Sequence, residues 1–109
     1  MKIALTGASG FLGRYIAQGL SAKGHTLKAW IRPTSDLTGL PGRIEWVDGG
    51  LDRPATNKPL LKGCDAIVHA ALDRPTGTFH VSGGSDLIAF LEKNLMGTIR
   101  LIQDARDAG

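Results

Sequence analysis

Three glycines, Gly7, Gly10 and Gly13, recur at three-residue spacing directly after the first apolar segment of the chain. A loop that carries three glycines turns sharply and lets another molecule approach its backbone closely. The pattern predicts a strand over 2–6 before the loop and, after it, a helix that ends near Gly24. The start of a helix offers unpaired N–H groups and a positive dipole end, which hold anions. The spacing therefore favours a bound diphosphate over a structural turn without a ligand, and no Gly-Lys-Ser or Gly-Lys-Thr follows to make a P-loop.

The remaining residues alternate between predicted strands and helices. Strands are predicted over 25–31, 43–47 and 65–71, a short and irregular or split helix over 54–61, and polar loops over 33–42 and 73–84. Such alternation predicts a parallel sheet with helices on both faces. In a dinucleotide-binding fold the strand order is 3-2-1-4. The fourth strand is apolar on both faces, which predicts that it lies buried inside the sheet.

The last predicted element is a helix over 85–108. Ser85 is its candidate N-cap, and Gly109 takes the C-cap position. Apolar residues recur along it at helical spacing. They are Leu87, Leu91, Leu95, Ile99 and Ile102.

Composition limits the class of protein. The 109 residues are 42% hydrophobic and 21% charged, as in a globular chain, and they form one predicted domain over 1–109. The net charge of +3 comes from scattered residues, which argues against a nucleic-acid surface. The single cysteine, Cys64, excludes an internal disulfide, and neither His25 nor His80 has the spacing of a metal ligand. With no transmembrane or signal segment in the sequence, we expect a cytoplasmic protein.

Three segments together resemble one family. Residues 6–13 (TGASGFLG) are similar to the cofactor loop of the extended short-chain dehydrogenase/reductase family, the NAD-dependent epimerase/dehydratase group. Residues 61–71 (LKGCDAIVHAA) resemble its fourth strand, and residues 94–98 (NLMGT) resemble the Asn-x-x-Gly-Thr segment of its next helix. The resemblance implies a Rossmann-like α/β fold that binds a nicotinamide dinucleotide.

The resemblance also implies a set of cofactor-binding residues. Ala70 and Ala71 correspond to the floor under the nicotinamide ribose. The family places an Asp-Leu pair after the third strand to hold the adenine. Here Leu51 matches, but Gly50 stands at the Asp position, so either Asp48 substitutes from two residues earlier or the segment is a surface turn. The whole predicted set is Gly7, Ser9, Gly10, Phe11, Leu12, Gly13, Arg32, Asp48, Leu51, Ala70 and Ala71.

The end of the second strand favours NADP over NAD. An acid at this position accepts hydrogen bonds from the ribose 2′-OH, whereas an arginine pairs with a 2′-phosphate. The strand ends in Arg32, and no acid follows until Asp36. Arg14 is a second cation expected near the same phosphate. The alternative is that Arg32 is solvated or stacks on the adenine.

Two further polar residues have simple structural interpretations. His69 lies in an apolar strand, where a lone histidine is more often packed and hydrogen-bonded than catalytic. Asn94 lies in mid-helix, where we expect it to anchor neighbouring backbone; the alternative is that it belongs to an exposed face.

The Tyr-x-x-x-Lys pair that the family uses for proton exchange is absent, because Tyr15 is the only tyrosine and Gly19 follows it four residues later. We therefore expect either an N-terminal portion of a larger protein or a gene truncated to a half-domain, in both cases without the C-terminal half of the fold. One interpretation is the cofactor-binding part of a reductase, epimerase or dehydratase that acts on a nucleotide sugar or a small carbonyl compound. The other is a non-catalytic nucleotide-binding or redox-sensing module. A second copy, or a further segment, is expected to cover the edge of the fourth strand or the apolar face of the helix over 85–108.

Overall fold

The computed structural model describes residues 1–72 and 84–109. Within them four strands form one sheet: β1 (Lys2–Thr6), β2 (Thr26–Ile31), β3 (Ile44–Asp48) and β4 (Ala66–His69). Every pair is parallel, and the order is β3-β2-β1-β4. The predicted Rossmann-like α/β fold with strand order 3-2-1-4 is therefore confirmed.

The helices follow the strands in the predicted alternation. They are α1 (Phe11–Ala22), α2 (Asn57–Leu61), α3 (Gly84–Leu91) and α4 (Gly97–Ala108). A 3-10 turn over Pro54–Thr56 precedes α2, so the prediction of a split helix over 54–61 is confirmed. The predicted loop over 73–84 lies, except for its last residue, outside the described residues.

The core lies on both faces of the sheet. Alternation along β1 sends Ile3 and Leu5 to one face, where they pack with Ala17 of α1. Ala4 points to the opposite face, where Leu60 of α2 and Leu101 of α4 are buried. The helices on the two faces thereby fix the central strands, and these strands carry the loops described below.

The expectation that the fourth strand is buried on both faces is wrong. Ala66 and His69 are exposed, and Ile67 and Val68 are only half-buried. In the described part of the chain β4 pairs with β1 alone, so it is an edge strand. Its apolar sequence is that of a strand with a neighbour on each side, but the described residues supply only one.

The single helix predicted over 85–108 is interrupted. A π turn over Glu92–Met96 separates α3 from α4. Gly97 and Leu101 are buried on the side that faces the sheet. The apolar residues that predicted the helix remain 40–62% exposed. They are Leu87, Leu91, Leu95, Ile99 and Ile102. The periodicity identified the helix but not its packed face, because apolar residues occur on two sides.

Candidate functional site

A cleft of about 790 Å³ lies at the edge of the sheet where the parallel strands end. Its walls are the segments that follow β1, β2, β3 and β4, so four sequence-distant loops meet there. Ligands of open α/β sheets bind at this edge, at the point where the strand order reverses. The cleft is lined by Gly7, Ala8, Ser9, Gly10, Phe11, Leu12, Gly13, Trp30, Arg32, Ser35, Gly49, Gly50, Leu51, Ala70, Ala71 and Leu72.

The three glycines of the first loop meet different neighbours. Gly7 has a φ of +75°, and a Cβ there would lie 2.7 Å from the carbonyl carbon and oxygen of Ala70. A Cβ on Gly13 would lie 1.7 Å from the Gly7 oxygen, so α1 packs against the loop without room for a side chain. A Cβ on Gly10 would be 3.3 Å from that oxygen. The protein itself therefore requires glycine at positions 7 and 13 more strictly than at position 10.

The start of α1 presents unpaired donors to the cleft. No side chain caps this end of the helix. The Gly10 N–H donates to the Gly7 oxygen, and the Arg14 N–H donates to the Gly10 oxygen, both at 3.0 Å. Between them, the N–H groups of Phe11, Leu12 and Gly13 have no acceptor among the described residues. Since these residues line the cleft, the arrangement suits an anionic group.

A buried hydroxyl holds the opposite wall of the cleft. Thr6 is fully buried, and its Oγ1 accepts hydrogen bonds from the N–H groups of Ala70 at 3.0 Å and Ala71 at 3.1 Å. With both lone pairs occupied, the hydroxyl donates its own proton to Nδ1 of His69, 2.5 Å away. The end of β1 therefore fixes the backbone that follows β4.

The same contacts assign the tautomer of His69. Because Nδ1 accepts from Thr6, the ring proton is on Nε2, which lies 2.9 Å from Oγ1 of Thr98. Partial burial lowers the pKa of His69 from its usual range, so the neutral ring is favoured. The expectation that His69 is hydrogen-bonded is confirmed at both ring nitrogens, and its structural rather than catalytic role stays a prediction.

The Asn-x-x-Gly-Thr segment, residues 94–98, contacts residues that line or hold the walls of the cleft. Asn94 is buried and donates to the Phe90 oxygen at 3.0 Å, which confirms its predicted role as a backbone anchor. Thr98 donates to the Asn94 oxygen at 2.5 Å. A Cβ on Gly97 would lie 2.8 Å from Cγ of Leu51, so this glycine lets a cleft-lining residue pack against the start of α4.

Among the described residues that line the cleft, Arg32 is the one with a charged side chain. One of its terminal nitrogens lies 3.4 Å from Oδ1 of Asp52, and both side chains are near half exposure. Arg14 lies elsewhere: it donates to the backbone oxygens of Ser9, at 3.1 Å, and of Asp36. Arg14 does not line the cleft, so the expected second cation is absent from its described wall.

Leu51 and Asp48, the two candidates for the adenine contact, are separated. Leu51 is buried and lines the cleft. Asp48 is 72% exposed, does not line it, and accepts a hydrogen bond from Arg53 at 3.0 Å. The hydrogen bond and charge of Arg53 lower the pKa of the Asp48 carboxyl. A contact between Asp48 and the adenine stays a prediction.

Several lining residues were not predicted. They are Ala8, Trp30, Ser35, Gly49, Gly50 and Leu72. The consecutive glycines at 49 and 50, directly after a strand, were a usable signal. Nothing in the sequence indicated that Trp30 lines the cleft, because its position depends on a contact with a distant segment. Its indole N–H donates to the Thr56 oxygen at 3.1 Å, and its ring lies against Gly49 in the loop after β3.

Within residues 1–72 and 84–109, no group of His, Cys, Asp and Glu side chains is arranged to hold a metal ion. In the same residues, no helix has both the length and the apolar character needed to cross a membrane.

Comparison with known proteins gives consistent matches. Sterol demethylase protein B of Methylococcus capsulatus is 32% identical over 110 residues, and the match covers 100% of this chain and 32% of that protein. Photosystem II assembly factor Ycf39 of Synechocystis is 27% identical and is covered to 31%. A solved short-chain dehydrogenase/reductase superfamily protein from Agrobacterium tumefaciens, with bound NAD, superposes with a TM-score of 0.77 at 26% identity. This match covers 100% of the present chain and 30% of the other.

The chain thus spans about a third of the length of the relatives it matches. The family model described as "NAD dependent epimerase/dehydratase family" matches residues 3–109. The strand order and the three family-like segments agree with this match. This chain belongs to the NAD-dependent epimerase/dehydratase family.

Proposed function

We propose that this chain is the cofactor-binding portion, over residues 1–109, of an NAD(P)-dependent oxidoreductase or epimerase of the extended short-chain type. One observation carries the proposal: the N–H groups of Phe11, Leu12 and Gly13 are unpaired at the start of α1 and line a cleft at the carboxyl ends of the strands. A diphosphate supplies the negative charge and the acceptor oxygens that these donors lack.

The other lining residues suit the remaining parts of a dinucleotide. Ala70 and Ala71 are small and held by Thr6, and they form the proposed floor under the nicotinamide ribose. Leu51 lies at the proposed adenine end. The proposed binding set is Gly7, Ser9, Gly10, Phe11, Leu12, Gly13, Arg32, Leu51, Ala70 and Ala71. Asp48 joins this set only if it leaves its ion pair with Arg53.

We propose NADP as the preferred cofactor. Arg32 lines the cleft directly after β2, the position of the residue that contacts the adenosine ribose in this fold. Asp36, the next acid along the chain, is bound to Thr38 and paired with Arg14, and it does not line the cleft. This end of the cleft thus presents a cation for a 2′-phosphate, and no acid is among the described residues that line it.

For the complete protein we propose an oxidoreductase or epimerase that acts on a nucleotide sugar or a small carbonyl compound in the cytoplasm. The family match supports the reaction class, and the free Cys64 fits a reducing compartment. The second candidate is a non-catalytic nucleotide-binding module. It is favoured by the similarity to a protein named as an assembly factor.

Large apolar side chains are exposed along the helical segment after β4. Leu87, Ile88, Leu95 and Ile102 are 46–63% exposed along α3, the π turn and α4. We propose that a second copy or a further segment covers this face or the edge of β4, since such apolar surface is costly in water. Analytical ultracentrifugation tests the first alternative, and a monomer that persists at high protein concentration excludes it.

Calorimetric titration with NADPH and NADH tests the cofactor proposal. We expect NADPH to bind more tightly, and Arg32→Ala to weaken NADPH binding about ten-fold or more while changing NADH binding little. Arg106→Ala is the matched control, because Arg106 is an exposed arginine of α4 that does not line the cleft. Absence of binding by both cofactors contradicts the proposal, and equal loss of both in Arg32→Ala contradicts the NADP preference.

A further inference from the structure

The cation at the rim of the cleft is already paired with an acid. Arg32 lies 3.4 Å from Oδ1 of Asp52 through a single terminal nitrogen, and the two side chains are 44% and 40% exposed. In the described residues this is the one hydrogen bond of the Arg32 side chain, although a guanidinium has five N–H donors. The remaining donors are available to a ligand, and the contact with Asp52 is long for a charge-assisted hydrogen bond.

The pair rests directly on Gly50. A Cβ at this position would lie 2.8 Å from one terminal nitrogen of Arg32 and 2.9 Å from Oδ1 of Asp52. The φ of Gly50 is not positive, so its backbone conformation does not demand glycine. The space above its Cα is instead occupied by the ends of the two charged side chains. The loop after β3 thereby places Arg32, at the end of β2, beside Asp52 of the same loop.

We propose that Asp52 weakens the NADP preference of this cleft by competing with the cofactor 2′-phosphate for Arg32. The inference rests on the proposed function, since it places the adenosine ribose beside Arg32. Without the phosphate, Asp52 holds the guanidinium at the rim. With the phosphate bound, the carboxylate is a second anion next to it and opposes binding. Asp52 therefore reduces the preference for NADP that Arg32 alone produces.

A substitution that changes the charge of Asp52 but not its shape distinguishes competition for Arg32 from a direct contact of Asp52 with the cofactor. Asp52→Asn keeps the shape of the side chain and removes its charge. We expect NADPH to bind roughly three- to ten-fold more tightly to this variant at low ionic strength, and NADH binding to stay unchanged. The gain shrinks as salt is added, because the two anions are partly exposed and are screened.

A second variant tests whether the space at Gly50 holds Arg32 and Asp52 together. Gly50→Ala places a methyl group where Arg32 and Asp52 meet. Its close neighbours are the ends of flexible side chains, so we expect the fold to persist, as circular dichroism and thermal melting can verify. The displaced guanidinium should lower the NADPH-to-NADH affinity ratio several-fold. An unchanged ratio in a folded Gly50→Ala protein contradicts this role of the space at Gly50.

The experiment is a set of calorimetric titrations of the 109-residue protein and its variants with NADPH and with NADH. Asp107→Asn is the control, since it removes the same charge from an exposed acid of α4 that pairs with Arg106. Tighter NADPH binding in Asp52→Asn alone supports the inference. Equal affinities of Asp52→Asn and the unaltered protein for NADPH overturn it, and weaker NADH binding in Asp52→Asn overturns it in favour of a ribose contact. If neither cofactor binds any of the proteins, the proposed function fails together with the inference.

Discussion

Replacement of Thr6 by valine should destabilise the protein and loosen one wall of the cleft. Valine has nearly the shape of threonine, so the change removes the hydroxyl without leaving a large cavity. The hydroxyl is fully buried and bonds the N–H groups of Ala70 and Ala71 as well as Nδ1 of His69. The Ala70 N–H keeps a second acceptor, the backbone oxygen of Thr6 at 3.2 Å. The Ala71 N–H has no other acceptor among the described residues.

The expected loss follows from this count of bonds. A fully buried N–H left without a partner costs about 1–3 kcal/mol, which is an upper limit for the half-buried Ala71, and a lost hydrogen bond costs about 1 kcal/mol. His69 is partly exposed, so water replaces some of its lost contact with Thr6. We expect the free energy of unfolding to fall by about 2–4 kcal/mol in Thr6→Val. This is a large fraction of the roughly 5–15 kcal/mol that stabilises a typical domain.

Urea unfolding followed by the fluorescence of Trp30 and Trp46 measures this loss at pH 7.5. Thr6→Ser is the matched control, because it keeps the hydroxyl and removes only the methyl group, at a cost of about 1 kcal/mol. Greater stability of Thr6→Ser than of Thr6→Val supports the assigned hydrogen bonds. The reasoning is refuted if Thr6→Val unfolds within about 0.5 kcal/mol of the unaltered protein.

Three further predictions follow from the glycine loop and its surroundings. In Gly10→Ala the free energy of unfolding should fall by about 1 kcal/mol or less, since the added Cβ would lie 3.3 Å from the nearest atom. The same variant should bind NADPH more weakly in calorimetry. Gly19→Ala is the control, because the space at its Cβ is open, and it should leave binding unchanged. Gly13→Ala should lose about 3 kcal/mol or more in urea unfolding, because its Cβ would lie 1.7 Å from a backbone oxygen. Comparable stabilities of the Gly10 and Gly13 variants would contradict this contrast. Because the pKa of His69 is lowered on folding, the unfolded chain binds its proton more readily, so stability should fall as the pH drops from about 7.5 to 5. His69→Asn, whose amide oxygen can still accept from Thr6, should show a shallower slope, and equal slopes would count against the assigned pKa shift.

Much of the fold could be predicted because it depends on local patterns. The apolar segment before Gly7 and the glycine spacing placed β1 and α1, and Gly24, with a φ of +86°, ends that helix as expected. The order of strands and helices fixed the topology, since few arrangements of such units exist. Ten of the eleven predicted binding residues line one cleft, and Asp48 does not.

The contacts between distant segments could not be predicted in the same way. The packed face of α4 depends on Gly97 and Leu101 meeting the loop after β3 and the helix after it, and a single helical pattern does not distinguish that face from the exposed one. The pairing of Arg32 with Asp52 over Gly50 joins residues twenty positions apart. No local propensity encodes such a contact.

The sequence by itself determined the kind of elements, their order and the loop that faces the cleft, because backbone freedom and apolar periodicity are properties of neighbouring residues. The tertiary structure decided which polar groups are paired. In the folded chain the Thr6 hydroxyl is hydrogen-bonded to Ala70, Ala71 and His69. Arg14 donates to the backbone oxygens of Ser9 and Asp36, and the first N–H groups of α1 have no acceptor among the described residues. Hydrogen bonds and ion pairs depend on distances of a few ångströms, which exist only after the strands have been brought side by side.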